Sequence, residues 1–211
     1  MDYKEFSESV KHGTTTLGLV CSDGVVMGSD VRATGGTYIF SSEAVKIHKI
    51  NDNLGVTIAG GVGDAEYLVK ILKVQSEIYS MGENKPMTPK TATSIISLIM
   101  QENKMLPFYV ELILGGLNNG VPEVYSVDPV GGHIKESKFT STGSGSIAAT
   151  GYIEGVYQEG MSTQDAAKHI AKALKIAMKR DSATGDGIRM VAITKRGYKE
   201  YSKDEIEKML K

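Results

Sequence analysis

The sequence predicts an α+β protein in which two antiparallel sheets lie face to face, with a pair of helices on each outer side. The order of periodicities carries this prediction: strands, two helices, strands, two helices, strand. Within each strand block the spacing is that of hairpins rather than βαβ units, which points to antiparallel pairing. A length of 211 residues suits one domain with a sizeable core, and no Pro/Gly/Ser-rich linker, repeat or low-complexity tract interrupts it.

Residues 1–13 are polar, with Lys4 and Lys11 set against Asp2, Glu5 and Glu8, and offer little to a core. They read either as a frayed terminus or as a segment that is removed. From Thr14 the pattern becomes a strand, TTTLGLVC, with Leu17, Leu19 and Cys21 on one face at period two and Thr16, Gly18 and Val20 on the other. Ser22-Asp23-Gly24 is turn chemistry, and VVMGSD after it completes a hairpin. IHKI (47–50) and LGVTIAG (54–60) form a second strand pair around the polar turn Asn51-Asp52-Asn53.

The period then changes to helical. Ala65, Leu68, Ile71, Leu72, Ile78 and Tyr79 approximate one face, and Ala92, Ile95, Ile96, Ile99 and Met100 fit a second helix closely. Thr88-Pro89 gives that second helix an N-cap residue and a proline at its first position. Strands return at 109–117, 121–128 and 133–142. A short helix near 146–158 precedes a long one begun by Ser162 and Gln164-Asp165, whose face holds Ala167, Ile170, Ala171, Leu174, Ala177 and Met178. GIRMVAIT (187–194) is a strand, and KDEIEKMLK closes the chain as a helix.

Composition removes several function classes. Lys+Arg and Asp+Glu nearly cancel at a net charge of −1, so there is no net positive field to hold nucleic acid, and only a local basic patch is left open. The single cysteine excludes an intrachain disulfide and a CxxC zinc site. No apolar run is long enough to span a bilayer, and the polar start is unlike a secretory signal; the expectation is a cytoplasmic protein away from membranes. His12, His48, His133 and His169 fall in separate segments without ligand spacing, so no metal is expected. Residues 143–148 satisfy the dinucleotide pattern G-x-G-x-x-[GA], yet they follow antiparallel-looking strands and lack an acidic ribose ligand downstream. Gly60-Gly61-Val62-Gly63-Asp64 is glycine-rich but has no P-loop lysine.

Gly13-Thr14-Thr15-Thr16, at the junction of polar leader and first strand, is the feature that points to chemistry. Cleavage after Gly13 would give Thr14 a free α-amine beside its own hydroxyl. Such an amine titrates near ~7.7–8.0, so at working pH part of it can accept the hydroxyl proton. One residue then supplies both nucleophile and base.

Six ordered blocks extend the signal: GTTTLGLV (13–20), DGVVMGSDVRAT (23–34), Lys46, TIAGGVGDA (57–65), STGSGS (141–146) and RDSATGDGI (180–188). Together they resemble the proteasome β subunits, most closely the archaeal type, from residue 14 to about 195. The resemblance implies the four-layer αββα sandwich of N-terminal nucleophile hydrolases. It also implies homo-heptameric β rings stacked with α rings as α7β7β7α7, degrading unfolded polypeptides delivered by an ATP-dependent unfoldase. It makes residues 1–13 a propeptide lost by autocatalysis at Gly13-Thr14 and residues 14–211 the catalytic domain.

Residue by residue, the resemblance makes Thr14 the nucleophile, with Asp30 and Lys46 beside it, and Gly60 the donor of the oxyanion hole. Ser144, Asp181 and either Ser182 or Thr184 surround the threonine amine; Thr184 stands where the family commonly has serine. Thr34 and Gly60 would pair with substrate backbone as an added strand. Ala33, Ala44, His48, Ile58 and Glu66 would wall the pocket before the scissile bond, with Glu66 open to supply across a subunit boundary. The apolar members favour a chymotrypsin-like preference, and His48 with Glu66 leaves room for a secondary tryptic one. Without the resemblance, Asp30 and Lys46 read equally as a surface ion pair. A structural ring subunit that never exposes its threonine is the alternative function, weakened because Gly13, Thr14, Asp30 and Lys46 are all present. The bacterial two-component threonine protease of hexameric rings is a nearer competitor, but residues 30–34 and RDSATGDG fit the archaeal type better.

Overall fold

A computed structural model describes residues 13–211. Residues 1–12, which hold His12 and all of the expected leader except Gly13, lie outside the described residues.

The first sheet has the order β10-β1-β2-β11-β12, formed by β10 (Phe139–Thr142), β1 (Thr16–Val20), β2 (Gly24–Asp30), β11 (Ile188–Thr194) and β12 (Gly197–Glu200). The second has the order β5-β6-β7-β8-β9, formed by β5 (Ile47–Asn51), β6 (Leu54–Gly60), β7 (Val110–Asn118), β8 (Val121–Val127) and β9 (His133–Glu136). Every pairing in both sheets is antiparallel. A separate hairpin joins β3 (Ala33–Gly35) to β4 (Tyr38–Ser41).

Each sheet buries one face under helices and the other against its partner sheet. Leu17, Leu19 and Cys21 face α3 (Ser146–Val156) and α4 (Thr163–Arg180), packing on Ile153, Ile170 and Leu174. Leu54, Val56, Leu112 and Leu114 of the second sheet pack on Leu68, Leu72, Ile96 and Met100 of α1 (Val62–Glu83) and α2 (Pro89–Glu102). Between the sheets lie Val25, Met27, Ile113, Val124 and Ile193. Full burial of one such side chain contributes about 1.5–3 kcal/mol. The αββα sandwich expected from the strand order is therefore the fold.

Local chemistry starts and stops the helices as the sequence indicates. Thr91 donates its backbone N–H to the Thr88 side chain at 3.2 Å, and Asp165 donates to Ser162 Oγ at 3.1 Å. Ser202 and Glu205 form a reciprocal capping box at the head of α5 (Lys203–Leu210). Cys21 is a buried core residue whose thiol is pushed up to about 12 by burial, with Asp23 adding to the shift, as suits an inert small hydrophobe.

Four details differ from the sequence reading. The run 133–142 is two strands in different sheets: β9 ends at Glu136, and β10 begins at Phe139 against β1. Alternation alone shows that a segment is extended, not which neighbour it pairs with. The β3–β4 hairpin escaped the reading because Tyr38, Ile39 and Phe40 are exposed and carry no buried face. Strand β12 is a short edge after a glycine turn. On α1, Ile78 is 55% exposed, and Ser76 holds the buried position in phase with Ala65, Leu68, Val69 and Leu72.

This framework gathers several chain ends at one end of the sandwich. Residues 13–15 precede β1, Asp30 ends β2, Gly60 ends β6, and residues 143–145 follow β10. Residues 181–187 run from α4 to β11, whose first residue, Ile188, lies opposite Asp30.

Candidate active site

Thr14 sits at this junction, only 3% exposed. Its hydroxyl donates to the Gly13 carbonyl at 2.7 Å, and its backbone N–H donates to Ser144 Oγ at 3.3 Å. Lys46, just ahead of β5 and also buried, places Nζ 3.5 Å from the same Gly13 oxygen. The lysine is held by Asp30 Oδ1 at 2.8 Å and by the Arg32 carbonyl at 2.5 Å.

Asp30 is fully buried, and neither of its oxygens is left bare. Oδ1 accepts from Lys46 and the Thr15 N–H (3.0 Å), while Oδ2 accepts from the Arg32 N–H (3.1 Å) and the Gly185 N–H (3.0 Å). A charge in such a place needs both a counter-ion and hydrogen bonds, and it has both. Burial pushes the Lys46 ammonium below the ordinary lysine range, and the Asp30 carboxylate pulls it part of the way back.

On the other side of Thr14 lies a chain of hydroxyls. Ser144 Oγ donates to Asp181 Oδ2 at 2.5 Å while it accepts from the Thr14 N–H. Thr184 Oγ1 donates to the same carboxylate oxygen at 2.5 Å and lies 2.7 Å from Thr15 Oγ1. The Ala183 N–H at 3.2 Å takes Asp181 Oδ1. Nitrogen, hydroxyl and carboxylate thus form one continuous hydrogen-bonded chain.

Of the two residues offered, Ser182 and Thr184, it is Thr184 whose hydroxyl bonds to Asp181. Ser182 is exposed and enters the network through its carbonyl, which accepts from Arg32 Nη1 at 2.7 Å. Arg32 also grips Asp186 through two bonds of 2.8 Å, fixing the 182–186 loop against β2. The sequence reading gave Arg32 no role of its own. The residues lie in two of the matched blocks, yet 154 positions apart, and no spacing rule joins them.

Glycines border Thr14 where a side chain would not fit. Gly60, at φ +125°, lines the cleft onto which Gly13 opens; a Cβ there would run into the Tyr109 carbonyl. Gly143, at φ +90°, would drive a Cβ into the Thr14 carbonyl. That carbonyl accepts from the Gly145 N–H at 3.4 Å, so residues 143–148, which match the dinucleotide pattern, grip the protein's own chain between an antiparallel strand and a helix.

Thr34 Oγ1 accepts from the Gly13 N–H at 2.9 Å, so the strand expected to bind substrate backbone already holds the residue before Thr14. Ala33 shares β3, the Ala44 N–H donates to the Val31 carbonyl at 2.8 Å, and the buried Ile58 donates to the Lys46 carbonyl at 3.0 Å. His48 lies on β5 opposite Val56, which is two residues before Ile58 on β6. Burial pushes its imidazole down, Lys73 acts the same way, and Glu66 opposes them in part. Glu66 projects from α1 with its side chain 58% exposed, 3.6 Å from Lys70. Backbone bonds thus tie Ala44 to the end of β2 and Ile58 to Lys46, while Glu66 stands exposed on α1.

A buried hydroxyl beside an ammonium, next to the end of a sheet in an αββα sandwich, defines the fold class of the N-terminal nucleophile hydrolases. Within that class the chain belongs to the proteasome subunit family, whose family model matches residues 10–193. It is 44% identical over 199 residues to the proteasome subunit beta of Methanothrix thermoacetophila, covering 94% of this chain and 96% of that one. The proteasome subunit beta of Archaeoglobus profundus is 41% identical over 206 residues, with 98% and 96% covered. That of Methanocaldococcus vulcanius is 43% identical over 200 residues, with 94% and 89% covered. Among the described residues no helix is long and apolar enough to cross a membrane.

Proposed function

We propose that this chain is the threonine endopeptidase subunit of a proteasome core, with Thr14 as nucleophile. The observation that carries the reading is the Thr14 hydroxyl 2.7 Å from the Gly13 carbonyl oxygen, between the Lys46–Asp30 pair and the Ser144–Asp181 relay.

Two reactions follow from that geometry. In the first, Thr14 Oγ adds to the Gly13 carbonyl carbon, the C–N bond breaks, and the nitrogen leaves with a proton. Water then hydrolyses the ester, releasing residues 1–13 and freeing the amine at the head of residues 14–211. In the second, the freed amine takes the hydroxyl proton as Oγ attacks a substrate peptide and passes it to the departing amine. Water then attacks the resulting ester, losing a proton to the same Thr14 amine, and the acid leaves as Thr14 Oγ is reprotonated. The Lys46 ammonium disfavours a second positive charge nearby, which keeps the amine basic form available. Gly60 N–H stabilises the oxyanion, and Asp181 with Ser144 and Thr184 orients the amine. Thr34 and Gly60 hold substrate backbone, while Ala33, Ala44, His48 and Ile58, with Glu66, favour a large apolar or aromatic residue before the cut.

The particle is an α7β7β7α7 stack of β and α rings in the cytoplasm, fed with unfolded polypeptide by an ATP-dependent unfoldase; peptide cleavage itself uses no metal or cofactor. Thr14→Ala tests the reading. Co-assembled with a proteasome α subunit, that variant is expected to form particles that keep residues 1–13 and cleave no fluorogenic peptide. Full activity in it would refute the proposal.

A further inference from the structure

A cleft of about 1010 Å³ opens beside Gly13 and is bordered by Gly60, Glu111, Ser126, Asp128, Gly143 and Ser144. It lies apart from the wall of Ala33, Ala44, His48 and Ile58, none of which borders it. The Gly13 N–H points to Thr34, so a peptide laid as Gly13 is laid runs past β3 on the N-terminal side of the scissile bond. The part of the peptide beyond that bond must leave on another side, and the cleft, which Gly13 and Gly36 also border, is open space adjoining the bond.

Among the described residues, the fully ionic side chains lining this cleft are both carboxylates, Glu111 and Asp128. Asp128 is engaged by its own turn, with Oδ1 accepting from the Val130 N–H at 2.9 Å and the Gly132 N–H at 2.8 Å. Its Oδ2 has a free side as well, but Asp128 holds residues 130–132, whereas Glu111 holds the loop that meets Thr14. Glu111 is exposed at the start of β7, and its Oε2 accepts a single bond, from the Gly143 N–H at 3.2 Å. That bond ties Glu111 to the loop that receives Thr14 and leaves Oε1 directed to no protein donor among the described residues. A carboxylate with a spare oxygen, next to the nucleophile and with no lysine or arginine in the same lining, suits a cationic side chain.

We propose that this cleft receives the segment of substrate that follows the scissile bond, and that Glu111 makes it selective for lysine or arginine there. The inference rests on the peptidase reading above and adds a second subsite to it. Glu111 is a specificity-determining residue of the leaving side, distinct from the wall that sorts the residue before the cut.

The test uses assembled particles and internally quenched peptides that differ only after the cut, carrying lysine, norleucine or glutamate. The unaltered protein is expected to favour lysine over norleucine in kcat/KM by about twofold to fivefold, the range of an exposed ion pair. The ratio should shrink as salt is added. Glu111→Gln, which keeps an oxygen able to accept from the Gly143 N–H, should bring the ratio near one and abolish its salt dependence. Glu111→Lys should turn the preference toward glutamate. A role confined to holding the Gly143 loop would alter the rates of all three peptides together and leave their ratio unchanged, which would overturn the proposal. Equal cleavage of all three peptides by the unaltered protein would overturn it too, with the peptidase reading intact. Failure to cleave any peptide would sink the peptidase reading as well.

Discussion

Asp30 and Asp181 approach Thr14 from opposite sides, and they are held by different chemistry. Asp30 is fully buried, with a lysine and three backbone N–H groups on its two oxygens. Asp181 is half-buried at the end of α4 and is met by two hydroxyls and one backbone N–H. The first arrangement fixes a charge, since an ammonium beside a desolvated carboxylate has no other partner of equal strength. The second fixes hydroxyl directions, and a hydroxyl can turn and pass a proton. On the proposed reading, one side sets the electrostatics around the Thr14 nitrogen and the other moves its proton.

Removing Lys46 probes the charged side most strongly. Lys46→Ala should lower peptidase kcat by about 10²–10⁴-fold, the span expected when a group that assists proton transfer is lost. Its unfolding free energy should move less than that of Asp30→Ala, because Asp30 keeps its three N–H donors. Asp30→Ala instead strands a buried ammonium and should cost about 3–5 kcal/mol in urea unfolding of the purified chain. Equal stability losses in the two variants would erase the asymmetry drawn between them.

Asp181→Asn should act on rate more than on stability. The amide still accepts from one hydroxyl, but the negative end of the relay is gone, so kcat should fall about tenfold while the unfolding midpoint shifts little. Thr184→Val removes one hydroxyl from the Asp181–Thr15 chain and should destabilise by about 1 kcal/mol, with Thr184→Ser restoring it. If the valine variant were as stable as the parent, the chain of hydroxyls would be ornamental.

The smallest effect lies far from the site. Bonds from Lys199 and from Ser202 hold the Glu205 carboxyl down to about 2, against an ordinary 4.5. Its folded value is depressed, so the cap contribution is present above the unfolded value and is lost as pH falls through the folded one. NMR titration of Glu205 should give a midpoint near 2; a midpoint near 4.5 would show the capping box to be open.

Much of this architecture could be read from the chain, because burial imprints itself locally. Leu17, Leu19 and Cys21 alternate onto the helix side of their sheet, and Thr88-Pro89 and Ser162 mark helix starts that the structure uses. Pairings between distant segments leave no such imprint. The bend between Glu136 and Phe139 that sends one run of residues to two sheets has nothing in its alternation to announce it. Tyr38, Ile39 and Phe40 form a strand with an exposed surface, so no core pattern flags them.

The candidate site divides in the same way. Thr14, Asp30, Lys46, Gly60, Ser144, Asp181 and Thr184 were named from ordered blocks, and the fold brings their segments to one end of the sandwich. Arg32 with Asp186, and Glu111 with Gly143, were missed as pairs because each joins segments whose proximity exists only after folding. Ser182, offered beside Thr184, is exposed, and its carbonyl accepts from Arg32.

The central claim is that Thr14 becomes the head of the chain. Intact mass with N-terminal sequencing of the protein co-assembled with a proteasome α subunit tests it most directly. The account predicts a chain that begins at Thr14 in particles that cleave peptides; a chain still beginning at Met1 in particles with full activity would contradict it.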